Sequence, residues 1–263
     1  MQIILKISRC FIALLILSLI FACGADEKDE PDPIVPPEPQ QFGTVSGIVT
    51  DAVTGNPLPG VQVTLSGVII ETEVDGVFVY NDILYGEEQE LTVRDPLYQA
   101  YSTQIVLNEV RLVHNVALPP LNDHQEELSA LLEDLSDLLE SLDMDNLPSL
   151  QSLFSESYFA ADDEVTKIGV VSGVVPPNFE GVIPTFTSVF EDYSWLNFTY
   201  NNLVYDITDA RKASVQMLMG VDSENAEDKN MRSLEGTCQF DFRREGSGWK
   251  IVYWQLMTLD IKL

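Results

Sequence analysis

Residues 240–252 read FDFRREGSGWKIV, and this stretch decides the fold of the C-terminal half of the chain. Phe240 and Phe242 alternate with polar residues up to Gly246, and a second apolar stretch starts at Trp249. Apolar residues at every second position on both sides of a glycine-rich turn are typical of a β-hairpin. The stretch therefore predicts two antiparallel strands joined by the turn at 245–248.

Outward from this hairpin, the pattern predicts helices first and then a sheet. An apolar stripe with helical spacing indicates an amphipathic helix of about twenty residues, and Asp123 followed by Glu126 predicts its capped start. Shorter helices are expected from Asn146 through Phe154 and over 183–193, with 158–181 as a loop holding at most one strand. The stripe consists of Leu128, Leu131, Leu132, Leu135, Leu138, Leu139 and Leu142. The remaining strands are expected near 195–207, 211–220, 234–244 and 249–260, with the first turn at Thr208-Asp209, and together they form an α+β domain.

This order of elements, together with residues 240–252, resembles the nuclear transport factor 2-like proteins over roughly 122–260. The resemblance implies a cone closed by a curved antiparallel sheet, as in ketosteroid isomerases and SnoaL-like cyclases. Members of that family bind small apolar molecules in the cone, catalyse proton transfers there, or dimerise through the sheet.

Polar residues on the predicted strands are the candidates for a cone pocket. Enzymes of the resembling family use an aspartate in an apolar cavity, often with a histidine or tyrosine, and Asp241 is the candidate general base here. The alternative is that Asp241 and Arg243 form an exposed cross-strand charge set. His124 at the helix start is expected to be solvated. The candidate pocket residues are Tyr205, Gln239, Asp241, Arg243 and Tyr253.

The last strand is apolar on both faces if it alternates regularly. Trp249, Ile251 and Tyr253 would then face one way, and Trp254 and Leu256 the other. Each apolar face of such a strand has to be buried against another element, so we expect the leucine-rich helix to pack on one face and a partner on the other. That partner is either the preceding domain or a second copy of the chain.

Residues 43–119 predict a separate all-β domain. Val61, Val63 and Leu65 alternate with polar residues, and turn signals separate several short strands. The run GIVTDAVTGNPLPGVQV at 47–63 resembles the start of the carboxypeptidase regulatory-like domain. The resemblance implies a Greek-key β-sandwich of the transthyretin-like type, an accessory module with no catalytic residues.

The N-terminus reads as an export signal. Lys6 and Arg9 precede an apolar run over 10–22, which is too short to span a bilayer as a stable helix. Residues 20–23 resemble the lipobox of bacterial lipoproteins, which implies that Cys23 is acylated. The alternatives are an ordinary cleaved signal and an uncleaved anchor, with Cys23 incidental.

An acidic, proline-rich tether follows this signal. Such a composition cannot bury a core and favours an extended chain. The acids after Cys23 are either an outer-membrane surface-export tag or simply a charged tether. The predicted segments are a signal peptide (1–22), a tether (23–42), a β-sandwich (43–119) and an α+β cone domain (120–263).

Composition narrows the functional classes. The 263 residues hold 14 Lys+Arg against 42 Asp+Glu, a net charge of −28, so nucleic acid is not an expected partner. The sequence shows no phosphate-binding loop, dinucleotide fingerprint, nucleophile elbow or clustered metal ligands, and we expect no cofactor or metal.

The sequence therefore predicts a non-enzymatic lipoprotein of the cell envelope, anchored in the outer membrane and either periplasmic or surface-exposed. Its cone would bind a small apolar molecule or a protein. One alternative is a cone enzyme that uses Asp241 as general base. Another is a purely structural homodimer.

Overall fold

The computed structural model describes residues 39–262, and its first part is built from two four-stranded sheets. One sheet has the order β4-β1-β7, with β8 also paired to β1, and the other has the order β3-β2-β5-β6. The strands are β1 (Phe42–Asp51), β2 (Gln62–Leu65), β3 (Val68–Glu71), β4 (Val77–Leu84), β5 (Glu88–Arg94), β6 (Tyr101–Val106), β7 (Arg111–Val113) and β8 (Val116–Leu118). We call this part the sheet pair.

One apolar core lies within the sheet pair. Val61, Val63 and Leu65 are buried in it, as their alternation predicts. The first glycine of the 47–63 run is required by close packing, because a Cβ atom at Gly47 would overlap the carbonyl oxygen of His114. Membership in the carboxypeptidase regulatory-like family stays a prediction.

The second part of the chain places helices against a six-stranded sheet of order β10-β11-β12-β13-β9, with β14 paired to β12. Neighbouring strands are antiparallel except β9, which runs parallel to β13. The helices are α1 (His124–Glu140), α2 (Leu147–Ser152), α3 (Glu164–Val171) and α4 (Val182–Asp192). The strands are β9 (Phe154–Ala160), β10 (Tyr193–Asp209), β11 (Lys212–Asn225), β12 (Met231–Glu245), β13 (Gly248–Leu256) and β14 (Asp260–Lys262).

Helix α1 confirms the leucine stripe. The Asp123 carboxylate accepts hydrogen bonds from the backbone N–H groups of Gln125 and Glu126, which caps the first turn. The stripe then packs on the inner face of the sheet, where Leu128 and Leu135 are fully buried. The meander that follows and helix α4 also confirm the predicted order of elements.

Residues 158–181 do not form the predicted loop, because helix α3 lies within them. Asp163 caps this helix by accepting a hydrogen bond of 2.9 Å from the Thr166 N–H. Gly169 allows close packing, since a Cβ atom there would lie 2.6 Å from Leu256 Cδ1. The helix was not predicted because most of its residues are β-branched and one is glycine, which lowers its helix propensity. Phe154, expected at the end of the second helix, instead begins β9.

The two-faced assignment of the last strand is wrong because β13 contains a bulge. Phe242 pairs with Ile251 and Asp241 with Tyr253, so Val252 has no pairing position. The extra residue reverses the alternation and places Trp249, Ile251, Trp254 and Leu256 on the inner face, where all four are buried. The strand therefore has one apolar face, and it does not need a packing partner on its outer face.

The turn between β10 and β11 lies at Ala210-Arg211, two residues after its predicted position, and it enters the sheet pair. Ala210 is fully buried in the sheet-pair core. Tyr98 Oη donates a hydrogen bond of 2.8 Å to Asp51 Oδ2 and accepts one of 3.0 Å from the Ala210 N–H. The second part thus contributes Ala210 to the core of the sheet pair, and 40–263 form one compact unit.

The remaining N-terminal predictions have no structural description. The signal peptide, Cys23 and most of the tether lie outside the described residues. Among residues 39–262, none of the helices is long and apolar enough to span a membrane.

Candidate functional site

The residues predicted to share a cone pocket lie on opposite faces of the sheet. Tyr205 faces inward, where its Oη lies 2.6 Å from Ser129 Oγ on α1. Gln239, Asp241 and Arg243 face outward, because the residues that alternate with them on β12 are buried. Tyr253 is the cross-strand partner of Asp241 on that outer face.

The outer face forms an open groove of polar side chains. Asp241 Oδ1 accepts a hydrogen bond of 2.7 Å from Gln239 Nε2. Arg243 pairs with Glu245 and donates to Ser157 Oγ at 2.9 Å. Burial and then the charge of Asp241 raise the pKa of Tyr253. The arrangement matches the cross-strand charge set more closely than a base in an apolar cavity.

His124 is buried, so its predicted solvation is wrong. Its side chain packs edge-on against Trp249 with ring centroids 5.9 Å apart, and its Nδ1 lies 3.4 Å from Glu127 Oε2. The helix start is covered because it lies next to the end of the sheet that meets the sheet pair.

A partly buried charge cluster occupies that end of the sheet. We call Glu127, Arg244 and Trp249 the junction cluster. The Arg244 guanidinium pairs with Glu127, lies 4.6 Å from the Trp249 ring centroid, and donates to the Ala210 carbonyl at 2.8 Å. Burial alone raises the pKa of Glu127, but hydrogen bonds from Arg244, Asn122 and Trp249 outweigh it and hold the pKa at about 2. The cluster joins α1, the sheet and the sheet pair.

The opposite end of the sheet holds a cavity of about 350 Å³, which we call the mouth cavity. Two cross-strand rows on the inner faces of β10, β11 and β12 form its floor, and α4 forms a wall. The inner row is Phe198, Val221 and Leu234, and the outer row is Leu196, Ser223 and Arg232. The other lining residues are Ser172, Gly173, Val174, Phe186, Ser188, Val189, Asp192, Tyr193 and Ser233.

The cone interior beside the mouth cavity carries little charge. Tyr200 lies one row deeper than Phe198, and burial raises its pKa. Burial also raises the pKa of Cys238 to about 12. Both groups are therefore neutral near pH 7. Glu140 Oε1 accepts a 2.6 Å hydrogen bond from the Phe198 N–H, which fixes the β10 backbone at the cavity floor.

The sequence interpretation missed the mouth cavity but contained a signal for it. The buried positions of β12 include Cys238, Phe240 and Phe242, and the same alternation extended backwards reaches Leu234 and Arg232. The candidate polar residues Gln239, Asp241 and Arg243 lie on the other face of β12. Helix α4 and the turn after α3, which close the cavity, come from distant parts of the chain and leave no local pattern.

Comparison with known proteins gives matches only among solved structures, since no family model and no curated protein matches the chain. A protein from Novosphingobium aromaticivorans, provisionally assigned as an aromatic ring hydroxylase, is 17% identical, with a TM-score of 0.44; the match covers 52% of this chain and 92% of that one. The hexachlorocyclohexane dehydrochlorinase LinA-type3 from Novosphingobium barchaimii is 16% identical over the same shares, with a TM-score of 0.39.

A nuclear transport factor 2-like superfamily protein from Salmonella enterica is 11% identical, with a TM-score of 0.39; the match covers 50% of this chain and 88% of that one. Each of the three matches covers about half of this chain. At such low identity, ligand and activity have to be argued from the side chains of this chain.

Proposed function

We propose that the cone domain binds a small, mainly apolar molecule in the mouth cavity. The observation that carries this proposal is the continuous apolar floor of Phe198, Val221 and Leu234 beneath an unfilled space of about 350 Å³. Pockets for small ligands have volumes of about 300–1,000 Å³ and combine apolar walls with a few polar groups. A cavity of this size fits a molecule of two or three rings.

Binding is favoured over proton transfer by where the ionisable groups lie. Those lining the mouth cavity are Asp192, Tyr193 and Arg232, and Asp192 and Arg232 are exposed at its rim. A general base of the kind used in cone enzymes needs an apolar environment that adjusts its pKa. Asp241, the base in the enzymatic alternative, lies on the other face of the sheet beside Gln239.

The cellular setting belongs to the same proposal. A lipid on Cys23 and the acidic tether would hold the two-part unit away from the outer membrane, in the periplasm or on the cell surface. Several acyl chains would anchor the protein firmly, since each buried CH₂ contributes about 0.8 kcal/mol. The cone would then take its ligand close to a membrane.

Replacing Cys23 with serine is expected to abolish acylation, because the thioether needs the thiol. Metabolic labelling with an alkyne-bearing palmitate analogue measures this directly. Cys238→Ser is the matched control and should keep the label, because Cys238 is fully buried in the cone. A labelled Cys23→Ser protein that still fractionates with membranes would contradict the lipoprotein assignment.

The mouth cavity can be tested with N-phenyl-1-naphthylamine, a neutral fluorescent probe that brightens in apolar surroundings. We expect residues 24–263, which include the whole compact unit 40–263, to bind it at one saturable site. Val189→Trp, on the wall formed by α4, should fill the cavity and weaken binding at least tenfold, about 1.4 kcal/mol. Fluorescence titration gives the dissociation constants.

The control for this experiment is Glu191→Trp, which adds the same indole ring to an exposed position of α4. It should bind the probe as the unmodified chain does. Equal affinity for all three proteins, each shown to be folded by circular dichroism, would mean that the probe binds elsewhere, and no saturable binding would refute the proposed function.

A further inference from the structure

The inner face of β12 carries an arginine near each end. Arg232 and Arg244 stand an even number of residues apart, and the register between β11 and β12 is regular from Met231 to Arg243. Both therefore lie on the side of the strand that faces the cone, with Leu234, Cys238 and Phe240 between them.

The two arginines have different surroundings. The Arg244 guanidinium is only 5% exposed and is neutralised by Glu127. The Arg232 side chain is exposed, and among the described residues its guanidinium has neither a hydrogen bond nor an ion pair within 4 Å. Ser223 Oγ, beside it in the outer row, contacts the Arg232 carbonyl at 3.4 Å and leaves the guanidinium uncommitted.

Arg232 is the one positively charged side chain among the described residues that line this cavity. Besides Arg232, Ser172 lines the cavity, and its hydroxyl group has no hydrogen bond among the described residues. Asp192 is the carboxylate that lines the same cavity. Asp228 lies near enough for Arg232 to lower its pKa, after a larger effect of the Asn230 N–H. A guanidinium presents five N–H donors in a planar fork suited to carboxylate or sulfonate oxygens.

We propose that Arg232 binds the anionic head of an amphiphilic ligand whose apolar body fills the mouth cavity. This inference rests on the proposed function and adds the chemical class of the ligand: a ring system or short chain that ends in a carboxylate or sulfonate. The acidic surface weakens the approach of anions, but salt screens it beyond about 8 Å. Contact with Arg232 therefore decides affinity within the cavity.

Two probes with the same apolar body test the head group. 8-Anilinonaphthalene-1-sulfonate carries a sulfonate, and N-phenyl-1-naphthylamine lacks it. In residues 24–263, Arg232→Gln should weaken binding of the sulfonate probe about tenfold, in line with a charge-assisted hydrogen bond of about 1.5 kcal/mol. Binding of the neutral probe should change less than twofold.

Lys229→Gln is the matched control, since it removes one positive charge at the same end of the sheet. Lys229 Nζ contacts Ser194 Oγ at 3.1 Å and Glu224 Oε1 at 3.4 Å, and Lys229 does not line the cavity. Both probes should bind this variant as they bind the unmodified chain.

Four outcomes overturn the inference. If Arg232→Gln and Lys229→Gln weaken binding of the sulfonate probe equally, the effect comes from the net charge at this end of the sheet and not from contact with Arg232. If Arg232→Gln weakens binding of both probes equally, the effect comes from a change in the shape of the cavity. If Arg232→Gln binds the sulfonate probe with unchanged affinity and still binds the neutral probe, the head-group inference is wrong and the proposed function stands. If the neutral probe does not bind the unmodified chain, both are wrong.

Discussion

Replacing Ala210 with aspartate is expected to lower the melting temperature by roughly 10 °C or more and to split one cooperative unfolding transition into two. Ala210 is fully buried in the core of the sheet pair although it belongs to the turn between β10 and β11. A carboxylate at that position would lie among the apolar side chains of this core, and the nearby Arg244 already pairs with Glu127, so its burial costs several kcal/mol. The turn would then leave the core and uncouple the two parts.

Differential scanning calorimetry measures this effect directly. For the unmodified chain the calorimetric and van't Hoff enthalpies should agree, as they do for a single cooperative unit. Ala226→Asp places the same carboxylate in the turn at the other end of the sheet, where the alanine is only partly buried, and should change little. A normal melting curve for Ala210→Asp would show that the turn is not held in the sheet pair.

The second large effect is expected from Glu127→Gln, which leaves Arg244 buried without its carboxylate. The Glu127 side chain is 24% exposed and that of Arg244 only 5%. The pKa of Glu127 lies at about 2, below its ordinary value of 4.5. One pKa unit corresponds to about 1.4 kcal/mol, so the shift sets an upper bound of about 3.5 kcal/mol. Because Glu127 is partly exposed, we expect the substitution to lower the free energy of unfolding at pH 7 by about 2–3 kcal/mol.

The pH dependence follows from the sign of this shift. A carboxylate whose pKa is lower in the folded state stabilises the fold above its unfolded pKa, and this stabilisation is lost as the pH falls toward the folded value. Urea unfolding at several pH values should therefore show the difference between the two proteins narrowing from about pH 4.5 towards pH 2. Glu133→Gln, on the exposed face of the same helix, should be close to neutral. A difference that does not vary with pH would contradict the assigned role of the Glu127 charge.

Local patterns predicted the elements in which apolar residues recur at regular spacing. The leucine stripe fixed α1, and period-two alternation fixed β2 and the hairpin of β12 and β13, because burial of one face imposes those spacings. Helix α3 was missed, since valine and glycine weaken its propensity and only the capping aspartate, Asp163, marks it. The bulge at Val252 was also missed, because nothing in the sequence of β13 marks the extra residue.

The candidate site was less predictable than the fold. Asp241 is a candidate base because it is a polar residue on a predicted strand. It alternates with Phe240 and Phe242, and because these two side chains are buried, Asp241 lies on the outer face of the sheet. The same alternation, extended to the start of β12, places Arg232 on the inner face of the sheet. The wall of the mouth cavity comes from α4 and from residues after α3, which only tertiary packing brings to the sheet.

The most direct test of the proposed binding site is a crystal structure of residues 24–263 grown with N-phenyl-1-naphthylamine. The proposal expects electron density for the naphthalene ring over Phe198, Val221 and Leu234, against α4. A mouth cavity closed by its own side chains, with the probe bound on the outer face of the sheet or absent, would contradict it.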